Sequence, residues 1–191
     1  MKKHPAASSG AIPASPVASA LLDELVVSYG DVLGEDYEAY GNHCRRVFNF
    51  CLALAGGDRE AEDKIAVTAV FHDLGIWTDG TFDYLAPSQR LARKFLAETG
   101  RNAWLDEIAA MIGEHHKLTP YVPNPSWLVE PFRKADLIDL SGGLVRFRLP
   151  DDFVVEVLET YPGAGFHKRL LSFALQRFRS HPFNPLPMLK L

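Results

Sequence analysis

Hydrophobic and polar positions along the chain recur with helical spacing over most of its length. Leu21, Leu22, Leu25 and Val26 fall three and four apart and predict a first helix that ends near Gly30. Residues 31–38 read as a turn-rich connection. A second helix is predicted from Tyr37 to Leu54, where "AGG" stops it, and a third from Glu60 to Asp73, closed by Gly75. In "LAPSQRLARKFLAETG", Ser88 is a candidate N-cap, Leu91, Phe95 and Leu96 form an apolar stripe, and Gly100 is the stop of a fourth helix. Trp104, Leu105, Ile108, Met111 and Ile112 give a fifth over 103–116. The prolines of "TPYVPNPS" cannot continue it, because proline lacks the amide donor and clashes with the preceding turn. A sixth helix spans Trp127 to Leu140 before "SGG". A seventh region holds "DDFVVEVLETY" and "HKRLLSFALQRFRSH", split by "PGAG". Only "GLVRFRLP" has the character of a short strand.

The pattern predicts an all-α, single-domain bundle of about seven helices. Pro, Ala, Ser and Gly dominate the start, so residues 1–15 are expected to be a flexible tail and 16–180 the helical domain. Residues 181–191, "HPFNPLPMLKL", are expected to be an extended arm held by its prolines. At 191 residues the chain is long enough to bury a sizeable core and a pocket. A hydrophobic share of 47% and a charged share of 23% match ordinary folded proteins. The net charge of -4 gives no electrostatic case for nucleic acid or an anionic membrane. Cys44 and Cys51, seven residues apart on one helix face, are separated by about 10 Å along the axis, too far for a disulfide. Both are expected to be reduced thiols of a cytoplasmic protein. The first residues have two lysines but no apolar run of a signal peptide.

Histidine and aspartate side chains recur on the apolar faces, and they are the natural ligand pair of a borderline transition metal. His43 is followed by Val47 and Phe50 at helical spacing and faces inward. In "AVFHDLGIW", His72 and Asp73 follow Ile65 and Ala69 so that both project from the core side of the third helix. Asp136 follows Phe132 by four and precedes Leu140 by four, and a lone buried carboxylate is costly without a partner. Asp139 competes for the same role from a less apolar face, so Asp136 is preferred. In "IGEHHKL", His115 follows Ile108 and Met111, and His116 follows Ile112. Either can look inward. Arg46, Lys117 and Arg133 are candidates to hold an anionic substrate, and His167 sits where a loop enters a helix.

A histidine, then the His-Asp doublet, then an Asp inside "KAD" resembles the HD-domain superfamily of metal-dependent phosphohydrolases, over roughly residues 40–140. The resemblance implies an HD-type all-α fold with His43, His72, Asp73 and Asp136 as metal ligands. His115 or His116 is then a second-metal ligand, a proton donor or a phosphate contact. The implied cofactor is a divalent ion: Mn, Fe, Zn, Ni, Co or Mg. The implied reaction is attack of a metal-bound hydroxide on a phosphate ester or nucleotide, with Asp73 orienting or deprotonating the water and His115 or His116 assisting. The expected partner is a small molecule, phosphorylated in the leading case, and homodimer formation is left open. Ile76 stands where the cyclic-dinucleotide phosphodiesterase branch has the lysine of HDxGK, and the GYP signature is missing, which argues against that reaction. "DYLAPSQRLA" does not supply the histidine of the di-iron oxygenase branch. "HDLGIWTDGTFDYLAPS" is similar to HD proteins related to cyanamide hydratase, so hydration or oxidation of a small molecule is the alternative. A non-catalytic nucleotide- or metal-sensing module is the other.

Overall fold

The computed structural model describes residues 12–184 and 186–190. Among them the fold is all-α, with eight longer helices and two of a single turn. Helix α1 (Ala20–Ser28) starts at Ser19, whose hydroxyl accepts the Leu22 amide, and buries Leu22, Leu25 and Val26. The connection expected over 31–38 is itself helical: the single-turn α2 (Gly30–Leu33) and a 3-10 turn (Gly34–Asp36) lead directly into α3 (Tyr37–Ala55).

Helix α3 is the centre of the bundle. It buries Tyr40, His43, Cys44, Val47, Phe50 and Cys51, and packs chiefly on α4 (Arg59–Phe71) and α8 (Val129–Leu140). Gly56 ends α3 at a φ of 62°, a conformation open to glycine at little steric cost. Asp58 caps α4 by accepting the Ala61 amide, and every residue of the helix from Ile65 to Phe71 is buried, Thr68 the one polar residue among them.

After Phe71 the chain turns through His72 and Asp73 into the single-turn α5 (Gly75–Thr78). Gly75 is required there by close packing, because an added Cβ would lie 2.6 Å from the Tyr84 carbonyl and 2.8 Å from the Pro87 side chain. The fourth predicted helix, α6 (Leu85–Glu98), begins before Ser88. Ser88 is therefore not its N-cap but a buried residue of its first turn, whose hydroxyl accepts the Gly75 amide at 3.0 Å. Helix α7 (Leu105–Glu114) packs on α6 and α8 and ends at His115.

Helices α9 (Asp151–Thr160) and α10 (Phe166–Ser180) make two elements of the seventh predicted region. No strand forms over "GLVRFRLP": Gly143 has a φ of 78° and Phe147 of 50°, the segment turns, and no partner strand exists among the described residues. Past α10 the chain folds back rather than extending away. Met188 is buried against Ile76 and Tyr84, and the Leu118 amide donates to the Lys190 carbonyl at 2.8 Å. Of the expected N-terminal tail, residues 1–11 lie outside the described residues. Both cysteines are free thiols in the core. No helix among the described residues is long and apolar enough to cross a membrane.

Candidate metal centre

Four helices deliver polar side chains to one interior point. His43 comes from the middle of α3, His72 and Asp73 from the turn that ends α4, His115 and His116 from the end of α7, and Asp136 and Asp139 from α8. His43 and His72 are fully buried, and Asp73, His115 and Asp136 nearly so.

The tautomers follow from the partners. His43 Nδ1 lies 2.6 Å from the Asp139 carboxylate, and Phe166 stacks on the same ring. His72 Nδ1 lies 2.9 Å from the Ala69 carbonyl, and His115 Nδ1 lies 2.7 Å from that of Ile112. A carbonyl oxygen and an ionised carboxylate only accept, so each of these Nδ1 atoms carries a proton and each Nε2 of a neutral ring presents a lone pair inward. His43 Nε2 and His72 Nε2 then face each other at 3.0 Å. Two lone pairs at that distance repel unless something positive lies between them.

The carboxylates complete the arrangement. Asp73 Oδ2 is 3.8 Å from His43 Nε2 and 3.5 Å from His72 Nε2, and Asp136 Oδ1 is 3.9 Å and 3.8 Å from the same atoms. Asp73 Oδ1, His115 Nε2 and both oxygens of Asp136 are buried without a hydrogen-bond partner. Orphaned buried acceptors are rare and call for a ligand. Nitrogen and carboxylate donors at bonds of about 2.1 Å stand roughly 3.0 to 3.4 Å apart around one ion, close to the spacings found here. The residues therefore fit a divalent metal. A proton on one Nε2 would settle only the contact between the two rings and leave both Asp136 oxygens orphaned.

A second group shares Asp73. Its Oδ1 is 3.3 Å from His115 Nε2, and Asp73, His115 and His116 also bring ligand atoms within one ion's reach. His116 Nε2 meets the Tyr84 hydroxyl at 2.7 Å, while its Nδ1 lies 3.6 Å from Asp136 Oδ2. Burial opposes ionisation of both central carboxyls, but the histidines facing Asp73 hold it below the usual carboxylate range, whereas burial pushes Asp136 up.

The family model described as HD domain matches residues 40–140, more than half of the chain. The chain belongs to the HD-domain family. No curated protein and no solved structure matches it. Within this HD domain His43, His72 and Asp73 bring ligand atoms within one ion's reach, as do Asp73, His115 and His116, and Asp136 lies 3.9 and 3.8 Å from His43 and His72.

The three expected anion-binding residues fare differently. Arg46 is buried and cannot reach a substrate: its Nη2 donates to Asp139 Oδ2 at 2.9 Å, its Nε also pairs with Asp139, and its Nη1 donates to the Tyr161 carbonyl. A guanidinium in the interior needs its counterion, and it sits on the His43 face of α3, where Asp139 is the acid within reach. Arg133 is held bidentate by Glu130 and donates to the Lys117 carbonyl. Lys117 and Arg133 line a small cavity of about 160 Å³ beside Asp136.

Asp139 was set aside on sequence grounds, yet it is fully buried and bonded to both His43 and Arg46. Burial opposes its ionisation, but those two partners hold its pKa well below the usual range. Its spacing of three from Asp136 puts both acids on one face of α8, a signal present in the sequence. Tyr84 carries no such signal: it reaches His116 only because α5 and α6 pack together around Gly75. His167 Nε2 lies 3.2 Å from the Asp139 carbonyl.

Proposed function

We propose that the protein is a metal-dependent hydrolase in which His43, His72, Asp73 and Asp136 hold a divalent cation. The facing Nε2 atoms of His43 and His72 at 3.0 Å, both with Nδ1 already donating, carry this reading. Asp73 with His115 and His116 is the candidate for a second ion. When bound, such an ion supplies Lewis acidity, lowering the pKa of coordinated water towards neutrality and polarising the bond to be attacked.

The chain's own groups would do the rest. Asp139 and the Ala69 carbonyl fix the two imidazoles, so their lone pairs stay aimed inward without reorganisation. Asp73 Oδ1, free of hydrogen bonds, can accept from a water molecule and orient it. His116, joined to the Tyr84 hydroxyl, can pass a proton to a leaving group. Burial keeps the Tyr84 phenol neutral, well above its ordinary pKa.

A phosphate ester is the first substrate class to test. A second reading, hydration of a small neutral molecule of the cyanamide kind, is favoured by one observation: Arg46 and Arg133 spend their charge on Asp139 and Glu130. Phosphomonoesters, nucleotides and cyanamide are to be assayed on metal-loaded protein beside His72→Ala and Asp73→Ala. Turnover that both variants abolish supports the proposal, and the substrate turned over separates the two readings. Tight metal binding with no turnover across the panel would point instead to a sensing module.

A further inference from the structure

Beside the metal centre a chamber of about 350 Å³ opens between α8, α10 and the C-terminal stretch. One wall is polar, formed by Asp73, Tyr84 and His116. The remainder is largely apolar: Leu140 at the end of α8, Leu170 and Ala174 on α10, and Leu186, Met188 and Leu189 beyond it. No lysine or arginine lines it among the described residues. The volume equals roughly a dozen waters and lies at the small end of ligand pockets.

The C-terminal wall is fastened in place. Besides the Leu118 amide on the Lys190 carbonyl, Lys190 Nζ pairs with Glu114 Oε1 at 3.0 Å, and Met188 is buried. A charged or hydroxyl-rich body placed among leucines loses its water and gains no partner. An apolar body loses nothing polar and buries its surface against the leucines, with His167 the one polar side chain among the described residues away from the metal side, while one polar group at its end meets Asp73, Tyr84 and His116.

We propose that the substrate has a compact, uncharged, apolar body that this chamber takes up, leaving one polar reacting group at Asp73, His116 and Tyr84. This rests on reading the histidine and aspartate cluster as a metal centre, since that cluster makes the polar wall reactive. It ranks a phosphate ester or other substrate with an apolar body above nucleotides and sugar phosphates and makes the C-terminal stretch a specificity wall.

The test is binding, read by ligand-observed NMR on the full chain loaded with metal, with 4-methylphenol as the apolar probe and adenosine monophosphate and inorganic phosphate as polar ones. We expect 4-methylphenol to bind and adenosine monophosphate not to. Ala174→Phe, which fills the chamber, and Leu171→Asp, which puts a charge on its exposed rim, should each lose the 4-methylphenol signal with metal content unchanged. Leu171 is 60% exposed, so its substitution leaves the fold in place even where the larger change does not. His72→Ala should lose metal and keep the probe. Metal uptake with adenosine monophosphate bound and 4-methylphenol excluded would overturn the inference, as would probe binding that both chamber variants leave intact. Binding of 4-methylphenol by a wild-type chain that takes up no metal would instead defeat the metal reading and leave the chamber's preference standing.

Discussion

Asp139 shows how one residue organises the centre without touching its middle. It accepts from His43 Nδ1 and from Arg46, so it fixes a ring and neutralises a buried cation together. Asp139→Asn keeps the shape but removes the charge. Stranding one partner of a buried pair costs about 3 to 5 kcal/mol, and loss of such an orienting carboxylate weakens metal binding by about 10- to 100-fold. Urea unfolding and metal titration of the variant should show both losses; unchanged midpoint and affinity would mean that Arg46 and His43 are held by something else. The sequence makes Asp136 legible through its apolar neighbours and obscures Asp139, because Asp139 lies one residue before α8 ends at Leu140 and has few helical neighbours to mark its face. Arg46 misled for a different reason. A charged side chain on an inward face reads as a surface group until the acid that pairs with it, far away along the chain, is located in space.

At the level of elements, helical periodicity located the longer helices well, since apolar spacing is set by the same burial that builds the core. Their ends were read less well. The start of α6 was placed at Ser88, but that hydroxyl serves Gly75 of a different element, and such a contact has no local signature. This contact makes a test of packing. Gly75→Ala must push the Tyr84 backbone or Pro87 aside and should cost about 1 to 3 kcal/mol. Gly30→Ala meets only Tyr37 ring atoms at 3.6 Å and should be neutral or gain about 0.5 to 1 kcal/mol. Equal urea midpoints for the two variants would contradict the assignment of Gly75 to close packing. Helix α8 offers a pH test. Burial opposes ionisation of Glu130, but the bonds from Arg133 and the Tyr121 amide outweigh it and hold its pKa down to about 2 from 4.5. A depressed carboxyl stabilises the fold above its unfolded pKa, and that contribution disappears as pH falls through the folded one. The stability gap between wild type and Glu130→Gln should therefore be full near neutrality and narrow progressively from about pH 4.5 towards 2; a constant gap would count against the pairing.

For the molecule as a whole, four helices meeting at one point make the interior polar where a bundle is ordinarily apolar. The apo protein then carries orphaned acceptors and like-charged carboxyls in its core, so a bound ion should stabilise the entire fold by mass action. At a hundredfold excess over Kd the gain is about 2.7 kcal/mol, or roughly 5 to 10 °C in Tm for a chain of this size. Adding a chelator should reverse it, with His72→Ala showing no response to either metal or chelator. The order His43, His72, Asp73, Asp136 is readable along the chain because His43 and Asp136 lie on apolar helical faces and the doublet directly follows the buried end of α4. The chamber beside them was not, since its walls come from α8, α10 and a C-terminal stretch whose prolines indicate an extended backbone but not where it packs.

The central claim is that the interior histidine and aspartate cluster holds a divalent metal, and elemental analysis of the purified chain after gel filtration tests it most directly. Wild-type protein loaded in turn with Mn, Fe, Co, Ni, Zn and Mg should retain one or two ions per chain for at least one of them, and Asp73→Ala, which breaks both ligand groups, should retain almost none. A wild-type chain that retains no ion from the whole panel, or an Asp73→Ala variant that retains as much as wild type, would contradict it.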